Sequence, residues 1–218
     1  MKNSGGLPGY YPIFLNINGK KCVVAGGGQV ALRKVKTLLK YGAKVEVISP
    51  ELCPELIKLA ENGELQVFQR GCQAKDLQDA VIAIAATNDS QTNLEIAKEA
   101  RKKTILVNTV DDAENSDFIT PSYLRRGDVT IAVSTAGRSP ALARKIRTEL
   151  EKELSEDFAS LAHLVGEVRT EVKQQGIKVN SDTWQEALDL DLLNDLLRRG
   201  SKEEARSTLL GNLKRQQK

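Results

Sequence analysis

The amino-acid sequence predicts an α/β fold: a doubly wound parallel sheet of the Rossmann type, then a small α+β region, then a helical C-terminal domain. Residues 10–113 alternate short apolar runs with longer amphipathic ones, as the strands and helices of a parallel sheet do. Residues 21–31 read Lys-Cys-Val-Val-Ala-Gly-Gly-Gly-Gln-Val-Ala, a strand that runs through a glycine turn into a helix. After residue 150 the apolar strands give way to charged amphipathic segments. The expected divisions are 1–112, 113–150 and 151–218.

The glycine turn has the form G-x-G-x-x-G/A, with Gly26, Gly28 and Ala31 at the key positions. This spacing is the dinucleotide-binding fingerprint. Gly26 allows a sharp exit from the strand, Gly28 a close backbone approach to a pyrophosphate, and Ala31 close packing of helix on sheet. The helix that follows turns its free N–H groups and positive dipole end toward the phosphates.

The remaining elements follow in order. Strands are expected at 22–25, 44–48, 65–70, 81–86 and 105–108, and helices at 29–40, 51–62 and 92–102. The fourth and fifth strands are nearly all apolar, as strands covered on both faces are. Gly42 is placed to cap the first helix in the left-handed conformation. Beyond residue 112 the chain turns polar, and 118–121 is extended, with Pro121 restricting its predecessor. Residues 128–134 alternate with period two and read as a half-buried strand. Ser139 and Pro140 open a helix to about residue 153, with Ser at the N-cap and Pro at the first position. Amphipathic helices are expected at 157–175, 183–199 and 201–213, punctuated by Gly176 and Gly200. Residues 117–134 supply too little sheet to stand alone, so they pair with another chain or with the first domain.

Composition narrows the function classes. The 218 residues are 40% hydrophobic and 28% charged, enough for a substantial core. A net charge of +3 and few aromatic residues argue against a nucleic-acid partner. No apolar run is long enough to span a membrane, and Met1 to Gly9 reads as a loose, glycine-rich tail without a signal-peptide core. Cys22, Cys53 and Cys72 are odd in number and widely spaced, which fits reduced cytoplasmic thiols. With one histidine, His163, and no C-x-x-C pair, no metal site is expected.

Four further clusters fall at the carboxyl ends of strands or in loops, where open α/β sheets bind ligands. The loop Ser49, Pro50, Glu51 ends the second strand where an adenosine ribose belongs. Glu51 either contacts that ribose or stabilises its own helix as a first-turn acid, while Glu46 lies earlier, inside the strand. No arginine follows in the loop to accept a 2′-phosphate, which favours NAD over NADP. Thr87 and Asn88 follow the fourth strand, either touching cofactor or forming a turn capped at Asp89 or Ser90. Asn108 and Asp111 follow the fifth strand. A carboxylate at Asp111 can accept a proton or hold a cationic group, or it is a plain loop aspartate. Finally, Ser134, Thr135, Gly137, Arg138 and Ser139, with Arg144 on the next helix, make either an anion site for an acidic substrate or a capped helix start with solvated arginines.

These motifs occur together and in order in one family. Tyr11-Pro12-Ile13-Phe14-Leu15, Val24 to Lys34, Ala86-Thr87-Asn88, Val107-Asn108-x-Val110-Asp111, Phe118-Ile119-x-Pro121 and Ser134-Thr135-x-Gly137-x-Ser139-Pro140-x-Leu142-Ala143 resemble the precorrin-2 dehydrogenase/sirohydrochlorin ferrochelatase family, over roughly residues 10–150. The resemblance implies NAD-dependent oxidation of precorrin-2 to sirohydrochlorin in sirohaem, and in some organisms cobalamin, synthesis. It implies a homodimer with 113–150 as its dimerisation region. It places the catalytic aspartate on Asp111 and NAD contacts on Gln29, Val30, Pro50 and Glu51. Some members also insert Fe²⁺, so a bifunctional dehydrogenase–ferrochelatase is an alternative. A non-catalytic NAD-sensing module is the more distant one, disfavoured by the weak ribose acid and the 134–140 loop. In the reading adopted, the substrate is held by Asn108, Ser134, Thr135, Gly137, Arg138, Ser139 and Arg144.

Overall fold

In a computed structural model, which describes residues 9–155 and 157–215, the chain forms two compact units, 1–120 and 121–218. The expected tail lies, apart from Gly9, outside the described residues.

The first unit is a five-stranded parallel sheet in the order β3-β2-β1-β4-β5. Its strands are β1 (Lys21–Ala25), β2 (Lys44–Ile48), β3 (Gln66–Phe68), β4 (Ile82–Ala85) and β5 (Leu106–Thr109). Helices α1 (Gln29–Lys40), α2 (Pro54–Glu61) and α3 (Ser90–Lys102) connect them. Order reverses between β1 and β4, the switch point at which open α/β sheets bind ligands. Four consecutive residues of β1, Cys22 to Ala25, are at most 1% exposed, so the strand is covered on both faces. Helix α1 buries Ala31, Leu32, Val35 and Leu38 on one stripe against the sheet. Gly42 takes φ +76° just past its end, the left-handed residue expected there. Residues 113–120 run back along β5: Asp117 N–H donates to Val107 O at 2.8 Å, and Val107 N–H to the Asp117 carboxylate at 3.0 Å.

The second unit opens with an antiparallel hairpin, β6 (Ser122–Arg126) and β7 (Val129–Val133), turning at Gly127 with φ +55°. The sequence expects an extended piece at 118–121, but the strand pairing with β7 lies later. Helix α4 (Pro140–Glu153) follows, and Ser139 caps it by accepting from Leu142 N–H at 3.2 Å. The rest is α5 (Asp157–Gln174), α6 (Ser181–Ala187), α7 (Leu190–Arg198) and α8 (Lys202–Arg215), closed over a core that includes Leu164, Val168, Leu193 and Leu209. The single helix expected at 183–199 is two. Asp189 accepts from Leu192 N–H at 3.1 Å and starts α7 as its N-cap, which ends α6 before it. No described helix is long and apolar enough to cross a membrane.

Candidate functional site

The fingerprint turn and the ends of β2, β3 and β4 enclose a cavity of about 640 Å³. Gly26, Gly27 and Gly28 form one wall; Ser49, Pro50 and Glu51 form another. Gly26 adopts φ +125°, and a Cβ there would collide with Ala86 O. Gly27, a variable position in the fingerprint, is equally constrained, because a Cβ would collide with Glu51 O. Its own carbonyl accepts from Cys53 N–H at 2.8 Å, tying the glycine turn to the β2–α2 loop. Gly28 differs: a Cβ would meet nothing within 4 Å. The fold leaves space there, beside the first-turn N–H groups of α1, which have no intrahelical acceptor. Space and donors together suit a pyrophosphate.

The expected cofactor residues divide. Gly26, Gly28, Ser49, Pro50, Glu51, Thr87 and Asn88 line the cavity. Gln29 and Val30 form the first turn of α1 outside the cavity wall, and Ala31 is fully buried beneath it. Glu46 pairs with Lys21 at 3.0 Å on the sheet. Thr87 lies in the wall, but its hydroxyl is used within the chain, lying 2.8 Å from Asn93 Oδ1 and 3.0 Å from Asp89 O. Asn93, 6% exposed on α3, also accepts from Thr87 N–H and donates to Thr87 O, so it locks the loop. Sequence patterning passes over Asn93, because its role depends on a neighbour six residues back. Asp89 caps α3; its carboxyl is held below the usual range by the Thr92 hydroxyl and then by the Thr92 N–H.

Gly71 and Cys72, after β3, also line the cavity, which the sequence did not indicate. Burial pushes the Cys72 thiol up to about 11, so it is a neutral wall residue. Beside it, Arg70 forms a fork with Asp76, NH1 to Oδ2 and NH2 to Oδ1, each at 2.7 Å. The Arg70 guanidinium, which also donates to Gly71 O at 3.0 Å, is therefore already committed to a carboxylate.

Beyond β5 the chain turns at Asp111, in the left-handed conformation at φ +59°, where an aspartate is tolerated better than most residues. Val110 N–H donates to Ala85 O at 2.9 Å, so the turn is tied to the end of β4, from which Ala86 and Thr87 continue into the cavity wall. Asp111 is exposed, and none of the hydrogen bonds or ion pairs among the described residues involves its carboxylate. Asn108 is 7% exposed and directed inward: Nδ2 donates to Phe118 O at 3.0 Å, and Oδ1 accepts from Lys34 Nζ at 3.3 Å. It serves the fold from inside rather than facing a ligand, a placement that depends on two segments distant in sequence.

The hydroxyl loop belongs to the second unit. Ser134 Oγ accepts from Ala136 N–H, and Thr135 Oγ1 both accepts from Ser139 N–H and donates to Ser139 O, each at 3.0 Å. Ala136 and Gly137 turn through φ +52° and +81°. The hydroxyls therefore shape the loop. Arg138 and Arg144 form no side-chain hydrogen bond or ion pair among the described residues, which leaves both guanidinium groups available to an anion.

The profile of a putative NAD(P)-binding family matches residues 13–122. The chain belongs to this family. A second profile, the central part of sirohaem biosynthesis proteins, matches this family member over residues 126–153. The chain is 40% identical over 182 residues to a siroheme synthase of Photorhabdus laumondii, covering 83% of this chain and 39% of that protein. It is 39% identical over 203 residues to a siroheme synthase of Chromobacterium violaceum, covering 92% and 43%. This NAD(P)-binding family member thus spans about two-fifths of the length of these curated relatives. The solved structure of SirC, a precorrin-2 dehydrogenase, superposes with a TM-score of 0.70 at 24% identity, covering 93% of this chain and all of that one, and so shares its fold.

Proposed function

We propose that the chain is an oxidoreductase that uses NAD to dehydrogenate precorrin-2 to sirohydrochlorin, a step toward sirohaem. The observation that carries this reading is the uncommitted Asp111 carboxylate on the turn tied to β4, at the same sheet edge as the glycine-walled cavity. The siroheme synthases at 39–40% identity support the choice of substrate.

Bound NAD supplies the acceptor for a hydride leaving a saturated ring carbon of the substrate. Gly28 and the first turn of α1 hold the pyrophosphate, and the Ser49–Glu51 loop faces the adenosine ribose. Asp111 receives the proton that leaves with the hydride, or anchors the pyrrole N–H groups while solvent takes it. One hydride and one proton are lost, so one NADH and one proton appear per sirohydrochlorin. Within the second unit, Arg138 and Arg144 carry guanidinium groups suited to carboxylates. The active form is a symmetric homodimer, and the three free cysteines suit a reducing cytoplasm.

Anaerobic incubation with enzymatically made precorrin-2 and NAD tests the reading. NADH absorbance and the sirohydrochlorin spectrum are expected to rise in equal molar amounts. Absence of both, with NAD and with NADP, overturns it.

A further inference from the structure

We propose that Lys34, with Arg33 beside it, is a carboxylate anchor that holds an acidic side chain of the substrate next to Asp111. The inference rests on the reading of Asp111 given above and adds a second recognition point in the same unit.

Lys34 projects from the second turn of α1 toward the end of β5. Its ammonium donates to Asn108 Oδ1 at 3.3 Å and to Thr120 Oγ1 at 3.1 Å. Both acceptors are neutral. Among the described residues, Lys34 forms no ion pair, and the Arg33 side chain forms neither an ion pair nor a hydrogen bond. A half-buried ammonium without a contact anion is costly to maintain, and a second cation one residue away adds to that cost. The charged groups acting on Lys34 are Arg33, on the same helix, and Asp111, on the turn after β5. An incoming carboxylate would compensate the two cations, and a ligand so held would lie within reach of Asp111. Precorrin-2 carries both chemistries, acidic side chains for the cations and ring N–H groups for the aspartate.

Lys34 and Arg33 do not line the glycine-walled cavity, so the anchor is separable from cofactor binding. Burial, and then the Arg33 charge, push the Lys34 ammonium below the ordinary lysine range, with Asp111 acting in the opposite direction. The cation is present below that lowered value and lost above it. Substrate capture should therefore weaken on an alkaline limb that begins earlier than an ordinary lysine would give.

The test measures KM for precorrin-2, Kd for NAD, and Kd for sirohydrochlorin from its visible spectrum, in wild type, Lys34→Met, Lys34→Arg and Thr120→Val. Lys34→Met is expected to raise KM and the sirohydrochlorin Kd by about 10- to 100-fold, the scale of a lost charge-assisted hydrogen bond, with NAD Kd unchanged. Lys34→Arg should stay within several-fold of wild type and lose the alkaline limb. Thr120→Val removes one acceptor but keeps the charge, so it should resemble wild type. If Thr120→Val reproduces Lys34→Met, or if NAD affinity falls equally, Lys34 is only a structural clamp and the proposal is overturned. Turnover that is indifferent to Lys34 also overturns it, without touching the dehydrogenase reading. Lys34-dependent sirohydrochlorin binding without NAD reduction leaves the anchor standing and sinks that reading instead.

Discussion

Both carboxylate oxygens of Asp112 are taken by Asn115, one by its backbone N–H at 3.0 Å and one by its Nδ2 at 2.7 Å. The Asn115 side-chain amide, then its backbone N–H, hold the Asp112 carboxyl below the usual range. Asp111, one residue earlier, has no such hydrogen bond. The two adjacent acids have different duties: Asp112 fixes the turn, and Asp111 is presented by it.

Asp111→Asn is the cleaner test of this division. Asparagine tolerates the left-handed conformation, whereas Asp111→Ala adds backbone strain of roughly 1 kcal/mol. Asp111→Asn is expected to fold and to bind NAD as wild type does, and to lose dehydrogenation by about 100-fold or more if the residue takes a proton. Partial retention would show an anchor for pyrrole N–H groups, which an amide oxygen can still accept. Full activity in steady-state assays would remove Asp111 from the mechanism.

The glycines separate binding from folding. Gly28→Val should leave the melting temperature close to wild type, because, its chain neighbours aside, a Cβ there meets nothing within 4 Å. It should weaken NAD binding by at least tenfold in calorimetry, since the side chain occupies the pyrophosphate's space. Gly26→Val and Gly27→Val should instead lower the melting temperature sharply, through the collisions with Ala86 O and Glu51 O. A Gly28→Val protein with normal NAD affinity would place the cofactor elsewhere.

A preference for NAD over NADP is expected from the surroundings of Arg70. Its fork with Asp76 keeps the guanidinium beside Gly71 and Cys72 from meeting a 2′-phosphate. Wild type should therefore bind NAD more tightly than NADP, and Asp76→Asn should narrow the ratio of the two dissociation constants. A wild type that prefers NADP contradicts this. The same pair predicts acid sensitivity. The Arg70 guanidinium holds the Asp76 carboxyl below the usual carboxylate range. A depressed folded value stabilises above the ordinary value of about 3.9 and is lost as pH falls through the folded value. Melting temperature should fall more between pH 7 and pH 3 in wild type than in Asp76→Asn.

Local order made much of the first unit legible. The range 29–40 for α1 and 44–48 for β2 follow from apolar period and a glycine stop, and both are observed. What escaped depends on partners distant in sequence or on polar residues acting from inside. Gly27 looks variable until the Glu51 carbonyl closes over it. Asn93 looks like an ordinary polar position, and Asn108 is expected to hold substrate, yet each is buried and uses both ends of its amide to hold a loop. Strand β6, with two arginines in five residues, shows little alternation and becomes a strand by pairing with β7.

The remaining prediction concerns assembly. On α4, Ala143 is buried, while Leu142, Ile146 and Leu150 are 52%, 38% and 36% exposed. Spaced by four, these three leucine and isoleucine side chains form one stripe along the helix. A two-stranded hairpin and one helix leave little apolar cover for such a stripe, and burying it against its own copy is the symmetric solution. Full burial of each such side chain is worth roughly 1.5–3 kcal/mol, so one charge in the stripe should be felt strongly. Ile146→Glu is expected to convert a dimer, seen by light scattering at micromolar concentration, into a monomer that still binds NAD, because the glycine-walled cavity lies wholly in the first unit. A wild type that scatters as a monomer, or an Ile146→Glu protein that remains dimeric, would move the interface away from α4.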